Sequence, residues 1–199
     1  MGFKIKPARL QDAEEIGRLD EWLDWMIKGI EADVRACMES GGEVEALKAV
    51  DEESGEIAGY AVWGWTARAN SFVMHAKANL VRPLGSNTEL RKKYTSLLYK
   101  METEHHPKEP FYELLDLATS PKFQRRGIGS QLVNYGLSRA DRNAVNVYLS
   151  AAPMGVPVYR KLGFEGVGRL EIDLEEFGGK GVHAHVAMIK VSRGEKRLS

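Results

Sequence analysis

The stretch FYELLDLATSPKFQRRGIGSQLVNYGLSRA, residues 111–140, decides the fold. Its first nine residues, Phe111–Thr119, are a nearly continuous apolar run interrupted by Glu113 and Asp116, the pattern of a buried strand. A polar, glycine-bearing turn follows, and from 128 to 140 apolar residues recur at helical spacing. Between strand and helix stands Gln124-Arg-Arg-Gly127-Ile-Gly129-Ser130. The first-turn N–H groups of a helix have no intrahelical partners and the helix dipole is positive there, so a loop of this kind binds anions. Glycine lets the backbone approach a phosphate closely. Two other phosphate signatures are excluded by spacing. A dinucleotide fingerprint requires a third glycine where Leu132 stands, and a P-loop requires Gly-Lys followed by Ser or Thr.

Working outward, Phe3 and Ile5 alternate with Lys4 and Lys6 as a short first strand. Ile16, Leu19, Trp22, Leu23, Met26, Ile27 and Ile30 then trace an amphipathic helical stretch with an expected break near Gly29. Cys37 in its continuation reads as a packing residue rather than a nucleophile. Residues 44–50 and 57–66, joined by a turn-rich 51–55, form a hairpin whose second strand is apolar on both faces. In the less regular 67–110, Ser86 and Glu89 suggest a capping box before a helix through Leu90, Tyr94, Leu97, Leu98 and Met101. Val145, Val147 and Leu149 alternate as a strand, 156–162 make a short helix closed by Gly163, and 170–174 with 182–188 make a last hairpin. This order predicts a mixed α/β domain around one sheet.

The 199 residues suit one domain with a sizeable core; 43% are hydrophobic and 28% charged, which excludes a disordered or fibrous chain. Twenty-eight basic residues balance 28 acidic ones, so the basic excess of a nucleic-acid binder is absent. The single cysteine cannot form an intramolecular disulfide, which predicts a cytoplasmic protein. The most apolar stretch, 57–65, is nine residues long, short of the roughly 20 that a spanning helix needs, so no membrane association is expected. No address signal is read at either end, and Lys6 stands where myristoylation wants Ser or Thr.

QRRGIG resembles the Q/R-x-x-G-x-G/A signature of the GNAT superfamily of acetyl-CoA-dependent N-acetyltransferases. Leu117-Ala-Thr-Ser-Pro121 looks like that family's strand end, Ala140-Asp141 like its helix end, and Tyr159-Arg-Lys-Leu-Gly-Phe164 like its Y-x-K-x-G-F segment. The resemblance implies a three-layer fold, with a mixed, mostly antiparallel sheet of six to seven strands flanked by helices. It also implies one domain over 1–199, with 111–168 the acetyl-CoA-binding core and 67–110 a variable acceptor-side segment. By the same resemblance the amides of Gln124, Arg125, Arg126, Gly127, Ile128, Gly129 and Ser130 hold the pyrophosphate, Leu117, Ala118 and Thr119 face the pantetheine, and the Leu117 amide serves the thioester oxygen. Arg125 and Arg126 also fit a solvated charged loop.

The implied reaction is direct attack by a primary amine in a ternary complex, with acetyl-CoA as co-substrate and no metal. A small-molecule acceptor is expected rather than a protein, and a monomer or homodimer. An unperturbed lysine-like amine, pKa about 10.4, is neutral in roughly one molecule in two thousand at pH 7, so a base is useful. Glu113 matches a position where some relatives carry a glutamate base, and plain strand parity would put it on the same sheet face as Leu117, with Asp116 on the other. Glu113 ranks first as the base and Asp116 second, and Glu113 also fits an exposed or ion-paired strand residue. Tyr159 matches the proton donor to the leaving thiolate; its other reading is an aromatic packed between helix and sheet. Trp22, Trp25, Trp63 and Trp65 fall in acceptor-side segments, Trp63 reading as core. His183 and His185 lack a third ligand at metal spacing, and His105 and His106 read as exposed. A catalytically idle acyl-CoA-binding sensor is the competing reading.

Overall fold

The computed structural model describes residues 2–9, 23–66, 68, 69, 73 and 86–192, with the backbone alone for 23–27. Along the chain run β1 (Phe3–Pro7), α1 (Leu23–Glu39), β2 (Val44–Asp51), β3 (Ile57–Gly64), α2 (Thr88–His105) and β4 (Phe111–Thr119). After a 3-10 turn at Pro121–Phe123 come α3 (Ile128–Asn143), β5 (Asn146–Ala151), α4 (Val156–Lys161), β6 (Glu165–Asp173) and β7 (Val182–Lys190). The strands make one seven-stranded sheet in the order β1-β2-β3-β4-β5-β7-β6. Every neighbouring pair is antiparallel except β4–β5. This is the mixed, mostly antiparallel sheet with flanking helices that the sequence implies.

Alternation along the strands separates two cores. On one face α3 lays Ile128, Leu132, Val133 and Leu137 against Leu47, Trp63, Val147 and Leu149. On the other, Ile30 and Val34 of α1 cover Val44, Ile57 and Val62, and Met101 of α2 covers Tyr148, Leu170 and Ile172. Trp63, 0% exposed, is core as expected, and Trp65 stacks on it with ring centroids 5.4 Å apart. A methyl at Gly136 of α3 would collide with the Trp63 ring, so glycine is what lets helix and sheet approach there.

Three local expectations are corrected. α1 runs unbroken through Gly29, because the buried Ile30, Val34 and Ala36 outweigh the ~1 kcal/mol cost of a helical glycine. The upstream residues Ile16, Leu19 and Trp22 lie outside the described residues. α2 is capped by Asn87 rather than Ser86: the Asn87 side chain accepts from the Leu90 N–H at 2.9 Å and donates to the Phe177 carbonyl at 3.1 Å. That contact with the turn between β6 and β7 selects the cap.

The third correction matters most. Pairing of β3 with β4 passes from Val62↔Asp116 to Trp63↔Leu114 and leaves Leu115 without a counterpart. One extra residue in a strand reverses the parity of everything beyond it. Glu113 therefore lies with Phe111 on the α2 face, whereas Leu117 packs with the α3 core. They do not share a face. Beyond the bulge, β4 and β5 part: their parallel pairing spans only Phe111↔Asn146 to Leu114↔Leu149, while β5 pairs with β7 along its other edge from Val147↔Lys190 to Ala151↔Val186.

At the C-terminus of α3, Ala144 adopts a left-handed conformation, φ 52°, with its N–H on the Asp141 carbonyl at 3.2 Å and the Val145 N–H on the Ala140 carbonyl at 3.0 Å. A Cβ is costly in that conformation. Ala144→Gly is expected to stabilise the protein by about 1 kcal/mol, a rise of about 2–4 °C in melting temperature. An unchanged or lower melting temperature would contradict this.

Candidate active site

Where β4 leaves β5, a cleft of about 660 Å³ opens. One wall is residues 114–119 of β4, which beyond Leu114 have no partner on the β5 side; the facing wall is Leu149 and Ser150 of β5 with Val158, Tyr159 and Lys161 of α4. Gln124, Arg125 and residues 127–130 border it at the start of α3. The structure thus brings Asp116, Leu117, Ala118, Thr119, Gln124, Arg125, Gly127, Ile128, Gly129, Ser130 and Tyr159 to one cleft. Of the expected residues, Arg126 and Glu113 are not in its lining.

The loop is built to expose amides. Arg125 and Gly127 have positive φ, 63° and 79°, which turns the chain sharply into α3, and no side chain caps that helix. A methyl at Gly127 would meet nothing within 4 Å, and one at Gly129 would come to 3.7 Å from Thr119 Oγ1 and 3.9 Å from Leu117 Cδ2. The glycines leave room for a phosphate over the first-turn N–H groups, so the residues present fit a diphosphate ligand. Arg125 faces the cleft; the Arg126 guanidinium lies 5.5 Å from the Phe123 ring centre.

Tyr159 is 8% exposed, its ring against Phe164 at 5.8 Å. Burial, and then the negative charge of Asp116, push its hydroxyl up to about 12. It therefore keeps its proton throughout the neutral range. Asp116 accepts a hydrogen bond from the Tyr60 hydroxyl at 3.0 Å. Glu113, 6% exposed, lies on the α2 side outside the cleft lining, its Oε1 3.6 Å from Nε2 of His106. His106 is not exposed as expected; it packs against Phe111 and Tyr148.

Sequence reasoning missed Ser150 and His185. The Ser150 Oγ and His185 Nδ1 lie 3.1 Å apart across the β5–β7 ladder, both in the cleft wall. Burial, and then the neighbouring His183, lower the His185 pKa. The alternation Val182-His-Ala-His-Val186 marked both imidazoles as sharing a face, but their partner is 35 residues away in sequence. Cys37 is half-buried among α1 and β2 residues and burial raises its thiol to about 12, which makes it a packing residue. Trp22 and the side chain of Trp25 lie outside the described residues.

Several solved acetyltransferases share this architecture. The chain is similar to the Corynebacterium glutamicum histone acetyltransferase HPA2 and related acetyltransferase, with 22% identity, TM-score 0.62, and 98% of this chain and 99% of that one covered. Arylalkylamine N-acetyltransferase 2 from Aedes aegypti is similar at 16% identity and TM-score 0.65 over 96% and 99% of the chains. The ribosomal-protein-S18-alanine N-acetyltransferase from Escherichia coli is similar at 14% identity and TM-score 0.58 over 100% and 99%. At these identities the likeness is one of fold. Residues 93–166 match the family model of the acetyltransferase (GNAT) domain. That family's co-substrate is acetyl-CoA. No helix among the described residues is long and apolar enough to cross a membrane.

The lowered pKa of His185 has a consequence for stability. A histidine that titrates below its unfolded value, near 6.5, favours folding fully above that value and loses the benefit as pH falls through the lower folded one. Urea midpoints of the parent are therefore expected to drop on acidification below pH 6.5, and those of His185→Asn to drop less. Parallel profiles would show that His185 does not carry this linkage.

Proposed function

We propose that the chain transfers the acetyl group of acetyl-CoA to a primary amine by direct attack in a ternary complex, residues 1–199 acting as one unit with 111–168 as its donor-binding core. The observation that carries this reading is the parting of β4 from β5, which gathers an amide-rich helix N-terminus, an open strand edge, a neutral buried phenol and a half-buried imidazole around one cleft. Acetyl-CoA, when bound, supplies an acetyl group activated as a thioester. Amides of the 125–130 turn hold its diphosphate, and the edge of β4 at Leu117, Ala118 and Thr119 takes the extended arm. The Leu117 N–H stabilises charge developing on the carbonyl oxygen.

A base and a donor complete the chemistry. His185, neutral at pH 7 and steadied by Ser150, takes the acceptor's proton, and Asp116 attracts the ammonium form of the amine to the cleft. Glu113 lies behind β4, so among the acidic residues of that strand we assign the acceptor side to Asp116. Tyr159 donates a hydrogen bond to the departing sulfur. With its pKa near 12 against about 8.5 for an ordinary thiol, full proton transfer is uphill, so its contribution is stabilisation of negative charge on sulfur. A small amine is the acceptor in this reading, the cleft of about 660 Å³ being taken up largely by the donor. The arylalkylamine enzyme of similar fold supports the same choice.

Thiol release from acetyl-CoA in the presence of mixed small amines tests the reaction; donor binding without turnover would leave the acyl-CoA sensor as the reading. Gly127→Val places a branched side chain at φ 79° beside the amides, and acetyl-CoA should then no longer raise the melting temperature. An unchanged thermal shift would remove the loop from the donor site.

Tyr159→Phe keeps the ring on Phe164 and removes only the hydroxyl. Donor affinity is expected to survive while turnover falls at least ~10-fold across neutral pH. Lower stability with unchanged turnover per folded molecule would make Tyr159 a packing residue.

A further inference from the structure

Behind β4, away from the cleft, the structure gathers a second polar cluster that the proposed acetyl transfer does not use. Glu102 lies in the last turn of α2, His106 caps the same helix with its N–H on the Glu102 carbonyl at 2.8 Å, and Glu113 reaches them from β4. One ligand atom from each of the three side chains lies within 4.8 Å of the other two. Glu113 is buried and the other two are half-buried. The Nε2 of His106 is buried and makes no hydrogen bond.

A further buried group points to the same spot. Tyr148 is 0% exposed, its hydroxyl has no hydrogen-bond partner, and its ring stands edge-on to His106 at 4.4 Å. Burial, and then the charges of Glu102 and Glu113, raise the pKa of that phenol. Two carboxylates, an imidazole nitrogen without a hydrogen bond and an unpartnered phenol form an electron-rich pocket. A buried polar group without a partner costs about 1–3 kcal/mol, and a buried charge more. A divalent cation would satisfy all of them together.

We infer that Glu102, His106 and Glu113 form a divalent-cation site that pins the end of α2 to β4, and that zinc is the ion this donor set fits. Zinc takes imidazole nitrogen at about 2.0–2.1 Å and carboxylate oxygen at about 2.0–2.2 Å, so tetrahedral ligand atoms stand about 3.4 Å from one another. His106 Nε2 and Glu113 Oε1, at 3.6 Å, already have that separation. Glu102 needs only a rotamer change of a long, half-buried side chain to close the set, with the Tyr148 hydroxyl or a water at the fourth position. The two-carboxylate set disfavours copper(I), which wants thiolate or thioether, and the imidazole disfavours magnesium and calcium. The ion would hold helix and strand together and would touch nothing in the cleft.

Zinc chloride titrated calorimetrically into the full chain, previously dialysed against a chelator, is expected to bind one ion per chain at pH 7.5. At ~100 times the dissociation constant the melting temperature should rise by about 5–10 °C. His106→Asn and Glu102→Gln should each weaken binding by at least ~100-fold, and magnesium should not substitute. Glu102→Gln alters a half-buried side chain, so it reads out the site even where changes at Glu113 prevent folding. His183→Asn, which removes an imidazole from the other histidine pair, should leave zinc affinity unchanged. The proposal is overturned if the parent binds no zinc, if His106→Asn and Glu102→Gln bind it as the parent does, or if His183→Asn abolishes binding. Because every readout is metal binding or melting, the result is independent of whether the chain acetylates amines.

Discussion

One unmatched residue, Leu115, governs the architecture. By interrupting the β3–β4 ladder it reverses the parity of β4 halfway along, so that Glu113 and Leu117 serve opposite layers of the molecule. The pairing of β4 with β5 ends immediately before it, at Leu114↔Leu149. A regular strand would have continued both ladders and closed the cleft. The bulge costs a local hydrogen-bonding irregularity in the centre of a sheet, where strands are otherwise fully paired, and the buried β3 against which it forms holds it in place.

Position along β4, before or beyond the end of its pairing with β5, sorts the charged groups of the strand. Asp116 reaches the cleft, where the Tyr60 hydroxyl supports it and its charge acts on Tyr159. Glu113 is sent to the α2 layer, among Glu102, His106 and Tyr148. Two acidic residues three positions apart thus occupy unconnected environments, one open to ligand and one enclosed.

Much of this was legible in the sequence where the signal was local. The apolar run of β4, the glycines before α3, the short α4 with Tyr159 and the alternating last hairpin all lie in elements whose periodicity or turn chemistry appears within about ten residues. The bulge was not legible, because an apolar strand reads the same with or without an extra residue; its place is set by pairing with Val62 and Trp63, more than fifty residues upstream. His185 acquires its meaning from Ser150, and His106 from Tyr148, again through the sheet. At α2, Ser86 and Asn87 were both able to cap, and only the bond to Phe177 separates them.

The parting of β4 from β5 gives the sheet an edge in its interior. A sheet ordinarily ends at its rims, here β1 and β6, and unpaired strand edges there invite other chains to add on. Residues 115–119 present a comparable edge, but the turn at 124–130 stands at one side of the opening and α4 at the other. The fold therefore keeps an unpaired strand edge in its centre without the aggregation hazard of an exposed rim.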